Sequence, residues 1–560
     1  MKGFTEGQIV PNVISFFDFH IYWNFRRALV MEALGQGQEA AKSAIEAIFL
    51  LDDVRFAFPF DTSTAVLQGY RLGLFNDYYK SAIRIMMNQY GKNDNKDDKL
   101  NDSNILKATF LCAENIKAQN LIGSVIKRVR DFSPPKISKE LAVDEKNLLN
   151  QYWNIEHPQG SSSWSSQDIS YLINRKNMYQ NYIYNFRNFV DALYSKDPNY
   201  AMVYYSRPLR LDEIPLNNDE LLVEYVMTND SIYCIISEKK GEKTYGHINI
   251  ISNKRKEFER EVDKLLALAS KFWNSNDEYS SLANKLCHKL LGDVVNNASH
   301  KKLIIVPDGI IGLIPFDALV IKKGTGFKDN IYLSDKFLTT YCQSGSFLAL
   351  LRKSSSNIRP VKTLLALGNP NIKGRMPLKG SESEVREIAD IFGDKSAPPD
   401  LILGNSATKN EINKVGLNDY KYLHFATHCE GFNNSPCLLL SNIDGENSNR
   451  LEIDDVINWK LNADLVVLSA CSTGMGQKID GEGLVNFAWA FHYAGAKRVM
   501  ITLWPIEDNI AKEFIRAFYT NIKDGASLIE ALQKSQKMIR KKGGKYANPF
   551  YWAPFILHGK

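Results

Sequence analysis

Two apolar runs in the second half of this 560-residue chain end in residues able to do nucleophilic chemistry. Tyr422-Leu423-His424-Phe425-Ala426-Thr427-His428 reads as a strand finishing in a histidine. Leu465-Val466-Val467-Leu468-Ser469-Ala470-Cys471 reads as another, finishing in a cysteine and followed by Ser472-Thr473-Gly474. Catalytic groups in open α/β sheets lie outside the carboxyl ends of strands. If these two strands are neighbours, His428 and Cys471 face each other at that edge. A thiol is only partly ionised at neutral pH, and it becomes an effective nucleophile beside an imidazole that takes its proton. The Gly-containing turn after Cys471 would leave its backbone N–H free to stabilise an oxyanion, a donor worth about 3–4 kcal/mol. Each residue also has a plainer use, the cysteine as a small buried hydrophobe and the histidine as a satisfied structural group. His424, four residues before His428, shares its strand face and reads as core or as a support behind the site.

These strands belong to a recognisable pattern. Leu221 to Met227 and Ser231 to Ile236 are short β-rich runs split by Thr228-Asn229-Asp230, a hairpin signal. Lys302 to Pro307, Leu364 to Gly368 and Arg498 to Leu503 are further brief apolar strands. Helical stretches separate them, at Phe258 to Leu268, Ser383 to Phe392, Leu484 to Tyr493 and Ile510 to Ile522. Alternation of this kind predicts a parallel, helix-covered α/β sheet. The first third reads helical instead, with a turn at Gly35-Gln36-Gly37 and a second helical pair over Leu67 to Tyr90 and Asn104 to Val129. Gly91 to Asn104 between them reads as a solvated loop. Glu145 to Trp153 and Asn174 to Tyr194 add two helices around the Ser-rich stretch Gly160 to Ser166. No clean 34-residue period aligns, so tetratricopeptide-like hairpins and a plain helical bundle both fit the front.

Composition narrows the function classes. The charge balance of 69 Lys plus Arg against 63 Asp plus Glu is mildly basic, and the basic clusters are local, the longest at Lys537 to Lys545. They read as solvated faces, and no nucleic-acid platform is evident. Every apolar run breaks well short of the roughly 18–20 residues a membrane span needs, so no membrane role is expected. Seven scattered cysteines make no disulfide framework and predict a reducing, cytoplasmic setting. No C-x-x-C or H-E-x-x-H predicts a metal, Gly324-Thr325-Gly326 lacks a phosphate-loop spacing, and no cofactor is expected.

The His-Phe-Ala-Thr-His and Leu-Ser-Ala-Cys-Ser-Thr-Gly segments resemble the two catalytic motifs of CHAT proteases, caspase-like domains associated with tetratricopeptide repeats. The resemblance continues through Gly481 to Leu484, Ala494 to Ala496, Leu503 to Pro505, Ala531-Leu532 and Asn548 to Gly559. Upstream it includes Ile305 to Gly309, Ile314 to Phe316, Ala366 to Pro370 and Glu384-Val385. It implies a clan of cysteine endopeptidases that includes caspases, gingipains and separases, with His428 as general base and Cys471 as nucleophile. It also implies oxyanion donors from the backbones of Cys429 and Cys471. The family usually has glycine where Cys429 stands and an acidic residue where Ser472 stands; cysteine resists positive φ, so the loop geometry could differ there. The implied organisation is a helical, tetratricopeptide-like recognition region over 1–135 and a helical linker over 136–199. A degenerate caspase-like subdomain over 200–354 and the active CHAT domain over 355–560 follow.

Leu503 to Asp508 resembles the separase segment that supplies an acidic residue for P1 arginine. Asp508 is the closest match for the P1 pocket, with Glu507 and Glu482 as rivals and an aliphatic P1 as the other option. Asp508 could equally cap a helix starting near Asn509. In related enzymes a loop placed like Gly474 to Gly483 orders on activation, which implies a weakly active resting state. Family members often serve bacterial defence, switched on by an RNA-guided complex or acting on a pore-forming effector. The expectation is thus an endopeptidase acting on a protein substrate, with an activating protein or ribonucleoprotein bound by the helical front. The competing expectations are an inactive caspase-like scaffold or protein-binding adaptor, and a metabolic thiol hydrolase.

Overall fold

The computed structural model describes residues 13–57, 75–92, 101–117, 137–156, 169–197, 200–201, 205, 208–272, 275–292, 294–297, 299–353, 360–372, 378–393, 398–432, 435–441, 450–470, 477–479, 483–485 and 487–560. The chain divides into a helical unit ending at Arg210 and an α/β unit beginning at Leu211, to which Lys117 also belongs.

In the helical unit, α1 (Val13–Ala33) and α2 (Gly37–Ala57) form a hairpin, with α3 (Phe75–Met87), α4 (Asp102–Ile116), α5 (Lys139–Glu156) and α6 (Ile169–Lys196) following. The first turn comes slightly earlier than the glycines predict. Gly35 takes φ +75° and Gln36 N donates to Met31 O at 2.8 Å, closing α1 so that Gly37 already starts α2. A two-pronged ion pair from Arg84 to Glu32 ties α3 to α1. Of the helical pair predicted over Leu67 to Tyr90 and Asn104 to Val129, α3 and α4 form the described parts; residues 67–74 and 118–129, most of the 91–104 loop and the Ser-rich 160–166 stretch lie outside the described residues.

The α/β unit is built on one eleven-stranded sheet. In chain order its strands are β1 (Glu220–Met227), β2 (Ser231–Lys240), β3 (Lys243–Ser252), β4 (Lys302–Val306), β5 (Leu338–Tyr341), β6 (Lys362–Gly368), β7 (Asp400–Leu403), β8 (Tyr420–Ala426), β9 (Leu465–Ser469), β10 (Arg498–Thr502) and β11 (Phe555–Gly559). Their spatial order is β3-β2-β1-β4-β5-β11-β10-β9-β8-β6-β7. All neighbours from β1 to β7 run parallel except β11 against β10, and β1-β2-β3 is an antiparallel meander. β1 is buried along its whole length, as a strand covered on both faces should be. β3 at the rim exposes alternate residues.

Among the described residues, seven helices of eight residues or more flank the sheet: α7 (Arg255–Ala269), α8 (Asn276–Leu291), α9 (Gly345–Lys353), α10 (Lys379–Phe392), α11 (Phe487–Ala494), α12 (Asp508–Lys523) and α13 (Leu528–Lys541). Two β8 side chains an odd number of residues apart show the two layers. Tyr422 packs on Phe392 of α10 and Tyr519 of α12, whereas Phe425 packs on Trp459 and on Phe491 of α11. α13 opens with a capping box, Ser527 N donating to Glu530 Oε2 at 3.0 Å. The helical front and helix-covered, largely parallel sheet agree with the expected architecture. One predicted helix is corrected: Gly483–Val485 pairs as a strand with Gln477–Ile479, and the helix begins only at Phe487. No helix among the described residues is long and apolar enough to cross a membrane.

Candidate active site

β8 and β9 are adjacent and parallel, and Ala426 pairs with Ser469. His428 follows Ala426 by two residues, as Cys471 follows Ser469. Cys471 itself, with Ser472 to Gly476, lies outside the described residues. His428 is held by its own backbone: its carbonyl accepts from Leu439 N at 2.9 Å, and the preceding Thr427 Oγ1 donates to Leu439 O at 2.5 Å. Leu439 ends the strand Ser435–Leu439, which pairs antiparallel with Cys429–Phe432. Cys429 therefore takes extended backbone. Among the described residues only Asn369 is a non-glycine with positive φ, so replacing the usual glycine at 429 demands no left-handed conformation.

A cleft opens at these strand ends, with a cavity volume of about 100 Å³. His428, Ser469, Ala470, Thr502, Trp504 and Asp508 contribute to its wall, and Gly380, Ser381 and Glu384 supply the α10 side. Thr502 Oγ1 donates to Ala470 O, pinning the residue before Cys471 to the end of β10. Trp504 Nε1 donates to Phe550 O at 3.1 Å, fixing an indole that lines the cleft.

The acidic candidates separate. Asp508 lines the cleft as the first residue of α12, one residue earlier than predicted, and the cap position falls to Glu507. Neither Glu507 nor Asp508 makes a side-chain capping hydrogen bond, so capping does not account for Asp508. Glu507 instead turns to Lys545 and the Tyr551 hydroxyl, each at 3.4 Å. Glu482 lies outside the described residues.

His424 is buried beneath the cleft, its Nε2 2.9 Å from Glu384 Oε1 and its Nδ1 3.2 Å from the Tyr519 hydroxyl. Glu384 reaches the cleft wall, a role sequence reasoning missed. Its signal was a carboxylate on the apolar stripe of α10 that also carries Val385 and Ile388. Burial pushes the Cys234 and Cys287 thiols up to about 12, so neither competes as a nucleophile near neutral pH. No group of three or more metal-ligating side chains occurs among the described residues. Gly324 N donates to Asn330 Oδ1 and Thr325 Oγ1 to Asp329, so that loop satisfies itself.

Comparison with known proteins follows this geometry. Tetratricopeptide repeat protein 28 of Homo sapiens is 26% identical over 309 residues, which is 46% of this chain and 12% of that protein. Its Mus musculus counterpart is 25% identical over the same length. This chain thus spans about an eighth of the curated relatives it matches. Among solved structures, a Saccharomyces cerevisiae separase–securin complex aligns with 98% of this chain and 47% of its own, at 11% identity and a TM-score of 0.43. The Arg-specific cysteine proteinase gingipain R aligns with 55% of this chain and 75% of its own, at 9% identity and a TM-score of 0.34. The sequence model of the CHAT domain matches residues 277–560, just over half of the chain and all of the strands that end at the cleft, and the chain belongs to the CHAT-domain family.

Proposed function

We propose that this chain is a cysteine endopeptidase in which His428 takes the Cys471 proton. The thiolate attacks the scissile carbonyl carbon, and the oxyanion is met by the backbone N–H groups of Cys429 and Cys471. The His428 imidazolium then protonates the leaving amine, and water, deprotonated by His428, releases the acyl group. One observation carries the reading: His428, the two residues immediately before Cys471, and Asp508 all line one cleft. Asp508 is the group we assign to a P1 Arg or Lys, in preference to Glu507 and Glu482, with His424 supporting the wall from behind.

Residues 355–560 would be the active subdomain and 200–354 its degenerate partner, each contributing its own run of parallel strands to the sheet. Residues 1–135 would recognise an activating protein or ribonucleoprotein, and 136–199 would link them, in a bacterial defence setting in the cytoplasm. Family membership and the helical hairpins support that arrangement.

The test is kcat/KM on matched P1 Arg, Lys and Leu peptides. Cys471→Ala and His428→Ala should each lose at least about 10³-fold, as removal of a nucleophile or its base does elsewhere. Asp508→Ala should lose the Arg preference over Leu; an unchanged ratio would sink the pocket assignment. A wild-type chain that binds its partner yet turns over none of the peptides would be a scaffold.

A further inference from the structure

The geometry points to Glu384 as a specificity-determining residue, which together with Asp508 forms a two-carboxylate cradle that takes a guanidinium in preference to an ammonium. This rests on the reading of the cleft as the P1 pocket of an endopeptidase.

Glu384 is only 4% exposed, yet it lines the cleft, and among the described residues His424 is the sole partner of its carboxylate. A carboxylate facing Nε2 requires a donor there, and the Tyr519 hydroxyl can donate to Nδ1. Burial, then the charge of Glu384, pushes that phenol well above its ordinary range, so the O–H is kept. None of the described residues lining the cleft is Lys or Arg. Lys512, on the same helix as Asp508, is tied to Glu387 at 2.8 Å and Ser383 at 3.0 Å.

Asp508 stands over Gly380, where an ideal Cβ would meet Asp508 Cβ at 3.1 Å and Oδ2 at 3.4 Å. Among the described residues no hydrogen bond or ion pair holds the Asp508 carboxylate. Glu384 lies four residues after Gly380 on the same face of α10, about 6 Å along the axis. Acceptors therefore stand at two depths, one exposed and one buried. A guanidinium spreads five donors over a planar fork and can be shared between them, whereas an ammonium is a compact point charge. The cavity is about 100 Å³, and the planar guanidinium head has four heavy atoms against the six of benzene, which a cavity of about 150 Å³ holds.

The test uses the full-length Cys471→Ala chain, titrated with n-butylguanidinium and n-butylammonium and followed by ligand-observed NMR. Guanidinium should bind at least tenfold tighter, and Glu384→Gln should erase that preference while Asp508→Asn weakens both ligands. Gly380→Ala, which crowds Asp508 and leaves Glu384 with His424, should weaken both ligands as Asp508→Asn does; Glu384→Asp, which keeps the carboxylate but withdraws it by one methylene, should reduce the guanidinium preference and decides the matter if Glu384→Gln does not fold. No guanidinium binding, or an undiminished preference in folded Glu384→Gln or in Glu384→Asp, overturns the cradle. The two readings fail separately. Guanidinium binding without peptide turnover by the wild-type chain removes the protease and leaves the cradle. Turnover without guanidinium binding does the reverse.

Discussion

At the residue scale, burial sets the protonation of several thiols and imidazoles of the α/β unit. Cys234, Cys287 and Cys437 have thiols raised chiefly by burial, which keeps them protonated. Two histidines away from the cleft show the converse. Burial lowers His492 to about 4, and burial with the nearby His492 lowers His558 to about 3. Among the described residues neither Nε2 has a hydrogen-bond partner. An unfolded chain takes up both protons near 6.5, so between about pH 6.5 and 3 it binds more protons than the folded chain. Stability conferred by these neutral histidines is therefore present above that window and is lost as pH falls through it. We predict a drop of the order of a few kcal/mol between pH 7 and pH 5, read as the urea midpoint. His558→Phe should flatten the dependence; an equally steep fall would mean that other groups cause it.

At the element scale, the approach of α10 to β6 sets the width of the cleft. An ideal Cβ on Gly368, the last residue of β6, would lie 2.9 Å from Val385 Cγ2 and 3.0 Å from Ser381 O. Gly368→Ala must push α10 outward, and with it Gly380, Ser381 and Glu384. We expect about 1–3 kcal/mol of destabilisation and a loss of Arg over Leu discrimination; retained discrimination would show that α10 does not shape the pocket. Elements of this kind were legible in the sequence wherever an apolar run was continuous, as in β8, β9 and β10. Of the missed strands β3, β5, β7 and β11, the first three lacked such a run. β3 alternates Lys, Thr, Tyr and Gly along an exposed rim, while β5 and β7 have only four residues each. Gly483–Val485 was read as helix because its Leu-Val pair continues the apolar pattern of α11, and only pairing with Gln477–Ile479 makes it a strand. His428 was legible as the residue just beyond a continuous apolar strand, whereas Cys471 lies outside the described residues. Glu384 was not, because its meaning depends on His424, 40 residues away in sequence.

At the scale of the whole molecule, the α/β unit is continuous through its last strand. β11 pairs antiparallel with β10 through Phe555 to Gly559 and parallel with β5 at His558. The carboxyl-terminal segment thus joins the strands of the first half of the unit to those that carry the site. Deleting residues from Phe555 onward should split the sheet and abolish cooperative unfolding, seen as loss of a sigmoidal urea transition by circular dichroism; a retained transition would show that the two halves fold without it. The proposed protease requires that His428 and Cys471 form one working site at the ends of neighbouring strands. Intact-mass analysis after exposure to peptidyl chloromethylketones bearing P1 Arg or P1 Leu tests this most directly. The prediction is a single adduct on Cys471, faster for P1 Arg and absent from Cys471→Ala and His428→Ala. An adduct on another cysteine, or one formed equally well without His428, would contradict it.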